Sequence, residues 1–599
     1  MCGIVGYIGE LKATDVILKG LKKLEYRGYD SCGISFHDQD NDRFITYKDK
    51  GRVNHLKNDY DYSAENHFGI GHTRWATHGA PNHLNSHPHK SSSGRFVVVH
   101  NGVIDNYKEL ITKYLLGVSF ESETDTEVIA NLIEYFAVKY PLDLAIRKTL
   151  TILEGSYALL IIDTLDPTKI YAGKNKSPLL IGTSDFGVCL ASDLMALVGN
   201  SDKYYLIEDK TFVKVEKNGL EYFFSMYDAV GIEFVPIRHE MNLDAEEINK
   251  AGFPHYMLKE ICEQPSVVRK IMSQYIKNDK FFIPTDVLDL FANKKRIYIL
   301  AAGTSMHAGF VGKVYFERIT GIPAEVFIAS EFAYNQPLLD KNAVFVLISQ
   351  SGETADLRAC LMNLKKNGYD TLTITNVKTS TLAREATEYL EIFAGPEIAV
   401  ASTKAYVGQV SVLAILAYTL SERPNCDLIQ EMSRLAVAMD AIIDKRDFIK
   451  NLVKSRITKR NCFYIGRGID YYTCLEAALK LKEISYIQTE GFAAGELKHG
   501  TIALIEEDIP VIAIITQKHI SKNTRSNIQE VKARGADVLV ISTQNNSQPD
   551  DDIVLMDVHY LLSPILAVIP TQLIAYYKAL DLGRDIDKPR NLAKSVTVE

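Results

Sequence analysis

The second residue of this chain is a cysteine, and its position makes it the first candidate for chemistry. Removal of Met1, which a small residue at position 2 permits, would leave Cys2 with a thiol and a free α-amine on one residue. An α-amine has an unperturbed pKa of about 8, so it can serve as a local general base without a histidine partner. Position alone is equally compatible with a buried structural thiol. Four segments shift that balance: EYRGYDS (25–31), HTRWATHG (72–79), HNG (100–102) and SETDTEVIA (122–130). Arg74 can hold an α-carboxylate through two parallel N–H donors. Asp125, at an expected helix start, can pair with an α-ammonium. The Asn101 side-chain amide and the Gly102 N–H can form an oxyanion hole. Together these residues suit the binding of a free amino acid beside a nucleophilic thiol.

A second set of chemical groups lies some 300 residues on. AAGTS (301–305) and SQSGET (349–354) each follow a strong apolar strand pattern and precede a helical one. The hydroxyls of Thr304, Ser305, Ser349, Ser351 and Thr354, with the Gln350 amide and backbone N–H groups, make an anion cradle at helix N-termini. Neither is a P-loop, and no dinucleotide fingerprint follows a strand. A hydroxyl-rich cradle without a lysine suits one phosphomonoester better than a triphosphate. In LEAALKLKEISYI (475–487), Glu476, Lys480 and Glu483 fall on one helix face. Spacing alone would suit a solvated stripe. EGFAAGELKHG (490–500) then breaks the helix and presents His499 on a loop. The final DKPRNLAKSVTVE (587–599) is motif-like, although such tails are usually disordered.

Other features point away from chemistry. His72, His78, His83, His87, His89 and His100 are crowded together, but their loop offers no carboxylate nearby, so no metal site is expected. Loop ordering is the better reading for them. Trp75 is the only tryptophan, and packing is its simplest role. The eight cysteines form no C-x-x-C pair, consistent with reduced cytosolic thiols. A net charge of -8 argues against nucleic-acid or polybasic membrane binding. No apolar run reaches the ~18 residues of a membrane span, and no secretory signal opens the chain. A cytoplasmic enzyme without metal or organic cofactor is expected.

The elements that must position these groups change character along the chain. GIVGYI, RFVVVHNGVI, YALLIIDT, KIYAGK, PLLIGT and GVCLAS read as strands, with helices over 13–25 and 124–139. They predict an α+β layered domain over 2–220. The stretch 221–285 reads as linker and lead-in helices, its polar part lying near 231–250. Beyond it, strand and helix patterns alternate. RIYILAAG (296–303) resembles NCFYIGRG (461–468), and AVFVLISQ (343–350) and TLTIT (371–375) find partners in PVIAIITQ (510–517) and VLVIS (538–542). A near-constant offset of 165 to 167 residues predicts a duplicated α/β domain with parallel sheets, over 286–426 and 452–589, and a terminal tail 590–599. The first copy carries the hydroxyls; the second has lost most of them.

The Cys-Gly-Ile start and its spacings resemble the N-terminal-nucleophile glutamine amidotransferases. The whole order, with two sugar-isomerase-type domains, the ELKHG loop and the PRNLAKSVTVE terminus, resembles the isomerising glutamine–fructose-6-phosphate aminotransferases, the glucosamine-6-phosphate synthases. That resemblance implies conversion of L-glutamine and D-fructose 6-phosphate to L-glutamate and D-glucosamine 6-phosphate, the first step of amino-sugar biosynthesis. It implies that Trp75 gates an internal ammonia passage, with His78 near the glutamine. It further implies that Lys594 forms a Schiff base with the open-chain ketose and that His499 assists ring opening from a neighbouring subunit of a homodimer. Glu483 would shuttle a proton between C1 and C2, with Lys480 as its acid/base partner. Val400 and Ser402, in EIAVASTK (397–404), are expected at the sugar. Ala399 and Thr501 depart from the family's usual Gly and Pro. Three rivals are weaker: another amidotransferase would need a diphosphate or ATP site, a glutamine-independent relative would lack the Cys2, Arg74 and Asp125 set, and a non-catalytic sugar-phosphate sensor would need no glutaminase.

Overall fold

The computed structural model describes residues 2–76, 78–219, 221–241, 249–421 and 426–597. The chain divides into two compact units, one of residues 1–247 with 595–599 and the other of residues 248–594.

The N-terminal unit is built on two antiparallel sheets. In the first, of eight strands, Gly3–Gly9 lies between Gly187–Ala191 and Phe68–Arg74, with Ser31–Asp38 beyond. In the second, of seven, Gly155–Asp163 lies between Lys169–Asn175 and Phe96–Ile104. Alternation along Gly3–Gly9 dictates the layering: Ile4 and Ile8 point between the sheets, towards Val97, Val99 and Leu160. Val5 and Tyr7 point the other way, under the helix Ala13–Leu24. The outer face of the second sheet, including Val98 and Leu159, is covered by Asp125–Ala137 and Leu142–Ile152. The order of layers is therefore helix, sheet, sheet, helix.

Contrary to expectation, part of the stretch that reads as linker is strand: Glu221–Tyr227, Glu233–Phe234 and Arg238–Glu240 extend the edges of these two sheets. Phe224 and Phe234 pack on the apolar layer between the sheets, so short amphipathic strands were hidden under a polar composition. Residues 242–248 of the same stretch lie outside the described residues.

The second unit contains the duplication. Arg296–Ala301, Ala343–Ser349 and Asp370–Thr375 form the centre of one five-stranded parallel sheet; Asn461–Gly466, Pro510–Ile515 and Asp537–Thr543 form the centre of the other. Both sheets share the strand order 2-1-3-4-5, counted within each copy. Helices cover both faces, which is why the strands are apolar throughout instead of alternating. Ile297, Ile299 and Val346 of the first sheet share one core with Tyr464, Ile512 and Ile514 of the second. The helix Tyr560–Asp581 is long and apolar enough to cross a membrane, contrary to the expectation of no such run. Its most apolar window is 94% buried within the protein, so it serves as a core helix of this unit.

Candidate active sites

In the N-terminal unit, strand pairing assembles the site. Gly3 lies opposite Thr73 in the antiparallel pair, which brings the residue before Gly3 beside the residue after Thr73. Cys2 and Arg74 thus meet at one sheet end. The half-buried Cys2 Sγ accepts the Trp75 N–H at 3.3 Å. Burial pushes the Cys2 thiol up, opposed in part by the Trp75 N–H and the Arg74 charge.

The second sheet supplies the amide donors. Asn101 donates from Nδ2 to the Cys2 carbonyl at 3.0 Å, while its Oδ1 faces His72 Nε2 at 3.1 Å. The same His72 nitrogen lies 2.9 Å from the His100 carbonyl, which can only accept. His72 Nε2 must therefore carry the proton, and this fixes the orientation of the Asn101 amide. Burial holds His72 neutral, down to about 3. Gly102 has φ 137°, and a Cβ there would overlap the Ser156 carbonyl, so only glycine fits beside Asn101. Asp125 opens the helix Asp125–Ala137 and accepts the Ile104 N–H at 2.8 Å, with His100 Nδ1 at 3.9 Å.

Arg74 is buried and donates to the carbonyls of His78, Gly79 (3.1 Å) and Ala80 (3.5 Å), so it also shapes the loop that follows it. The Trp75 ring packs edge-on against Tyr29, and the His78 ring edge-on against Tyr107. Within EYRGYDS, Asp30 accepts the Ala76 N–H at 2.9 Å, whereas Arg27 and Tyr26 bond Asp193. The His72 and His87 rings stack at 4.0 Å, and His89 meets His87 edge-on at 4.7 Å. His87 Nδ1 receives the His100 N–H, and His89 Nε2 contacts the Thr124 hydroxyl. These histidines order a loop, as their sequence context suggests.

In the second unit, two turns lie at the carboxyl ends of neighbouring parallel strands, where open α/β sheets bind ligands. Gly303, at φ 54°, opens the helix Gly303–Tyr315 and places Thr304 and Ser305 in its first turn. Gln409 donates to Ser305 Oγ at 2.9 Å. In the other turn, Ser349 Oγ accepts the Gly352 N–H at 3.0 Å and lies 2.9 Å from Thr354 Oγ1; Ser351 Oγ accepts the Glu353 N–H at 3.2 Å. Gly352 has φ 66° and leaves no room for a Cβ beside Ser380. Gln350 is half-buried in the same turn.

The stripe on the helix Ile469–Ser485 is not solvated. Glu476 and Lys480 are buried, and Glu483 is partly so. Lys480 Nζ lies 2.6 Å from Glu483 and 3.6 Å from Glu476, and donates to Thr304 Oγ1 at 2.9 Å. Thr304 and His307 in turn contact Glu476 at 3.2 and 2.7 Å. The apolar positions of this helix are needed on its other faces, so the charged stripe packs against the first copy. Desolvation would lower Lys480, but Glu483 and Glu476 outweigh it and raise the ammonium above its ordinary value.

Lys594 of the terminal tail is held within the fold, its side chain only 3% exposed. It is held by Glu397, a residue that sequence reasoning passed over within EIAVASTK. Ser402 donates to the same carboxylate at 2.7 Å, and Val400 N–H reaches the Asp587 carbonyl at 3.0 Å. His499 ends a short turn, Glu496–His499, and is exposed.

Comparison with known proteins agrees with this layout. A glutamine amidotransferase domain family matches residues 72–199, and the SIS domain family matches 290–418 and 457–580. A glutamine–fructose-6-phosphate aminotransferase (isomerizing) of Listeria innocua is 52% identical over the full length of both chains. The enzyme of the same name from Bacillus subtilis is 50% identical, again over both full lengths. Among solved structures, the C-terminal domain of glucosamine-fructose-6-phosphate aminotransferase from Francisella tularensis matches 57% of this chain and 99% of its own, at 35% identity and a TM-score of 0.55. Full-length identity of this order, over both kinds of domain, means that the chain belongs to the isomerising glutamine–fructose-6-phosphate aminotransferase family.

Proposed function

We propose that the family reaction, glutamine plus fructose 6-phosphate to glutamate plus glucosamine 6-phosphate, is run here by two named sets of residues. In the N-terminal unit, Cys2 attacks the glutamine side-chain amide with its own α-amine as base, once Met1 is removed. Asn101 and Gly102 stabilise the tetrahedral oxyanion. Arg74 and Asp125 hold the α-carboxylate and α-ammonium, with Trp75 and His78 closing the site. Water then cleaves the thioester to glutamate, and the ammonia is passed internally, since release to water at pH 7 would protonate it.

In the second unit, Ser305, Ser349, Gln350, Ser351 and Thr354, with Thr304 at their edge, hold the phosphate. Val400 and Ser402 line the sugar. Lys594 attacks the ketose carbonyl, Glu483 moves the proton between C1 and C2, and Lys480 is its acid/base partner. His499 assists ring opening from the other subunit of a homodimer; its exposure on a turn supports that assignment. We place the enzyme in the cytoplasm, without a metal or organic cofactor.

The observation that carries this reading is the buried Glu476–Lys480–Glu483 stripe, which meets Thr304 of the phosphate turn in the same unit. Buried charge of this density is rare without a task. The test is to incubate the protein with glutamine and fructose 6-phosphate and score glutamate and amino sugar separately. Cys2→Ala is expected to abolish glutamate formation while fructose and glucose 6-phosphate still interconvert. Glutamate without any amino sugar in the unmodified protein would sink the sugar-site assignments.

A further inference from the structure

Glu397 has every oxygen lone-pair direction occupied. Its Oε1 accepts the N–H groups of Thr403 and Ala405, at 2.8 and 3.0 Å, where the helix Lys404–Thr419 begins. Its Oε2 accepts the Ser402 hydroxyl at 2.7 Å and the Lys594 ammonium. The Glu397 side chain is fully buried. A carboxylate so placed, with four donors and a fixed cation, stays ionised, and the Lys594 charge outweighs the desolvation that would raise it. A second carboxylate, Glu260, stands on the same loop: its Oε1 accepts the N–H groups of Ile398 and Ala399 at 2.6 and 3.1 Å, and its Oε2 is buried without a partner. Burial and the Glu397 charge push Glu260 up, so it keeps its proton and leaves the ionised role to Glu397.

We propose that Glu397 is the resident counter-ion of the Lys594 nitrogen, both as ammonium and as protonated imine, and is thus a further catalytic residue of the sugar site. This rests on the assignment of Lys594 as the imine-forming lysine. The balance of that step explains why one fixed carboxylate serves both states. The lysine nitrogen bonds to the ketose carbon, the carbon–oxygen double bond breaks, and the oxygen leaves as water with two of the three ammonium protons. One proton stays on nitrogen, so ammonium plus ketone becomes iminium plus water with the positive charge unmoved. The protons that leave nitrogen go to the departing oxygen, so Glu397 stays ionised throughout. The iminium draws electrons from C1 and C3 only while protonated, so its counter-ion sets the upper pH at which the isomerisation runs. The other charged groups around the loop are Glu260, Lys404 with its partner Glu263, and the Lys480, Glu476 and Glu483 stripe. Lys404 and Lys480 already have carboxylate partners of their own, whereas Lys594 is set against Glu397.

The experiment compares the full chain with Glu397→Gln, Glu397→Asp and Lys594→Ala. Each is incubated with fructose 6-phosphate alone, quenched with borohydride across a range of pH, and mapped by mass for a reduced sugar-phosphate adduct; isomerisation is followed in parallel. Binding of the reduced hexitol 6-phosphate, which has no carbonyl, reports an intact pocket. With Glu397→Gln the alkaline limb of both profiles is expected to move down by about one pH unit or more, since an opposite charge within ~4 Å is worth 1–3 units. Adduct yield at pH 8 falls at least about 10-fold with it, while hexitol phosphate still binds. Glu397→Asp keeps the charge and recovers part of the shift. An alkaline limb unchanged in Glu397→Gln, with the adduct still on Lys594, overturns the proposal alone. If Glu397→Gln no longer binds hexitol phosphate, Glu397→Asp decides in the same way by a shifted or unshifted limb. Absence of an adduct in the unmodified chain, or an adduct that survives Lys594→Ala, overturns the lysine assignment and this proposal with it.

Discussion

The two parallel sheets of the second unit have the same strand order and the same left-handed glycine at the first turn, Gly303 at φ 54° and Gly468 at φ 57°. The side chains beyond that glycine differ. At 165 residues from Ser305 the second copy has Asp470, and at 167 residues from Ser349 it has Thr516. Asp470 is buried; it accepts the Thr516 N–H at 2.9 Å and the Thr516 hydroxyl, which also meets Ser563 at 2.7 Å. The second turn has thus filled its own helix-start position with a carboxylate, whereas the first keeps hydroxyls there, which the proposed function gives to a phosphate. One backbone geometry serves both purposes, and a single side chain decides between them. The helix after the second turn carries Glu476, Lys480 and Glu483 back to the first copy, where Lys480 meets Thr304.

The largest expected effect comes from severing that connection. Lys480→Met leaves Glu476 and Glu483 without their shared cation, and breaking a buried charge pair costs about 3–5 kcal/mol. Denaturant unfolding of the second unit should show a loss of that order, with sugar isomerisation abolished. A stable variant with normal isomerisation would mean that the stripe only packs the two copies together.

Next is a swap that makes the first turn resemble the second. Ser305→Asp should place a carboxylate where phosphate is received, and like-charge juxtaposition costs several kcal/mol. The kcat/KM for fructose 6-phosphate is expected to fall more than about 100-fold, by initial-rate assay, with glutaminase hydrolysis retained. Retention of sugar use would separate Ser305 from the phosphate.

The reverse swap acts on stability. Burial raises Asp470 to about 6, from an ordinary 3.8. A raised acid favours the fold while protonated, so this contribution is complete below pH ~4 and is lost as pH climbs through ~6. At ~1.4 kcal/mol per unit the loss is no more than about 3 kcal/mol. Asp470→Asn removes the ionisation, so its stability relative to the unmodified chain should improve between pH 4 and 7. A difference that stays flat over that window would show that Thr516 fully compensates the buried charge.

Much of this comparison was legible in the residues themselves. Apolar runs followed by Gly and hydroxyls at a constant offset disclosed the duplication, because a doubly covered strand leaves no polar alternation to confuse it. Cys2, Asn101, Gly102 and Asp125 stood out as candidates because their types and order are chemically unusual, and the fold brings Cys2 and Asn101 into contact. Glu397 was not: it lies 197 residues from Lys594, and only the folded tail brings the two together. The Glu476 stripe had the spacing of a solvated face, and nothing in periodicity says that a charged face packs on another domain. Of the strands at 221–240, Glu233–Phe234 and Arg238–Glu240 have only two and three residues, too few for alternation to show, although Glu221–Tyr227 is rich in aromatic residues.

The smallest effect separates the two turns most finely. Thr516→Val keeps the shape of the side chain but removes the hydroxyl between Asp470 and Ser563. Asp470 retains the Thr516 N–H, so about 1 kcal/mol of stability should be lost. The KM for fructose 6-phosphate should not move, because this turn holds its own carboxylate. Ser349→Ala at the matching place in the first copy should move KM. It removes a hydroxyl from the turn assigned to phosphate, raising KM about 10-fold for a hydrogen bond to a charged group of ~1.5 kcal/mol. Because Ser349 also accepts the buried Gly352 N–H, about 1 kcal/mol or more of stability goes with it, so KM is the axis that separates the two variants. Paired measurement of KM and denaturation midpoint for the two variants reads both axes at once. If Thr516→Val raised KM as far as Ser349→Ala, the second turn would be part of the substrate site, and Asp470 could not be its permanent occupant.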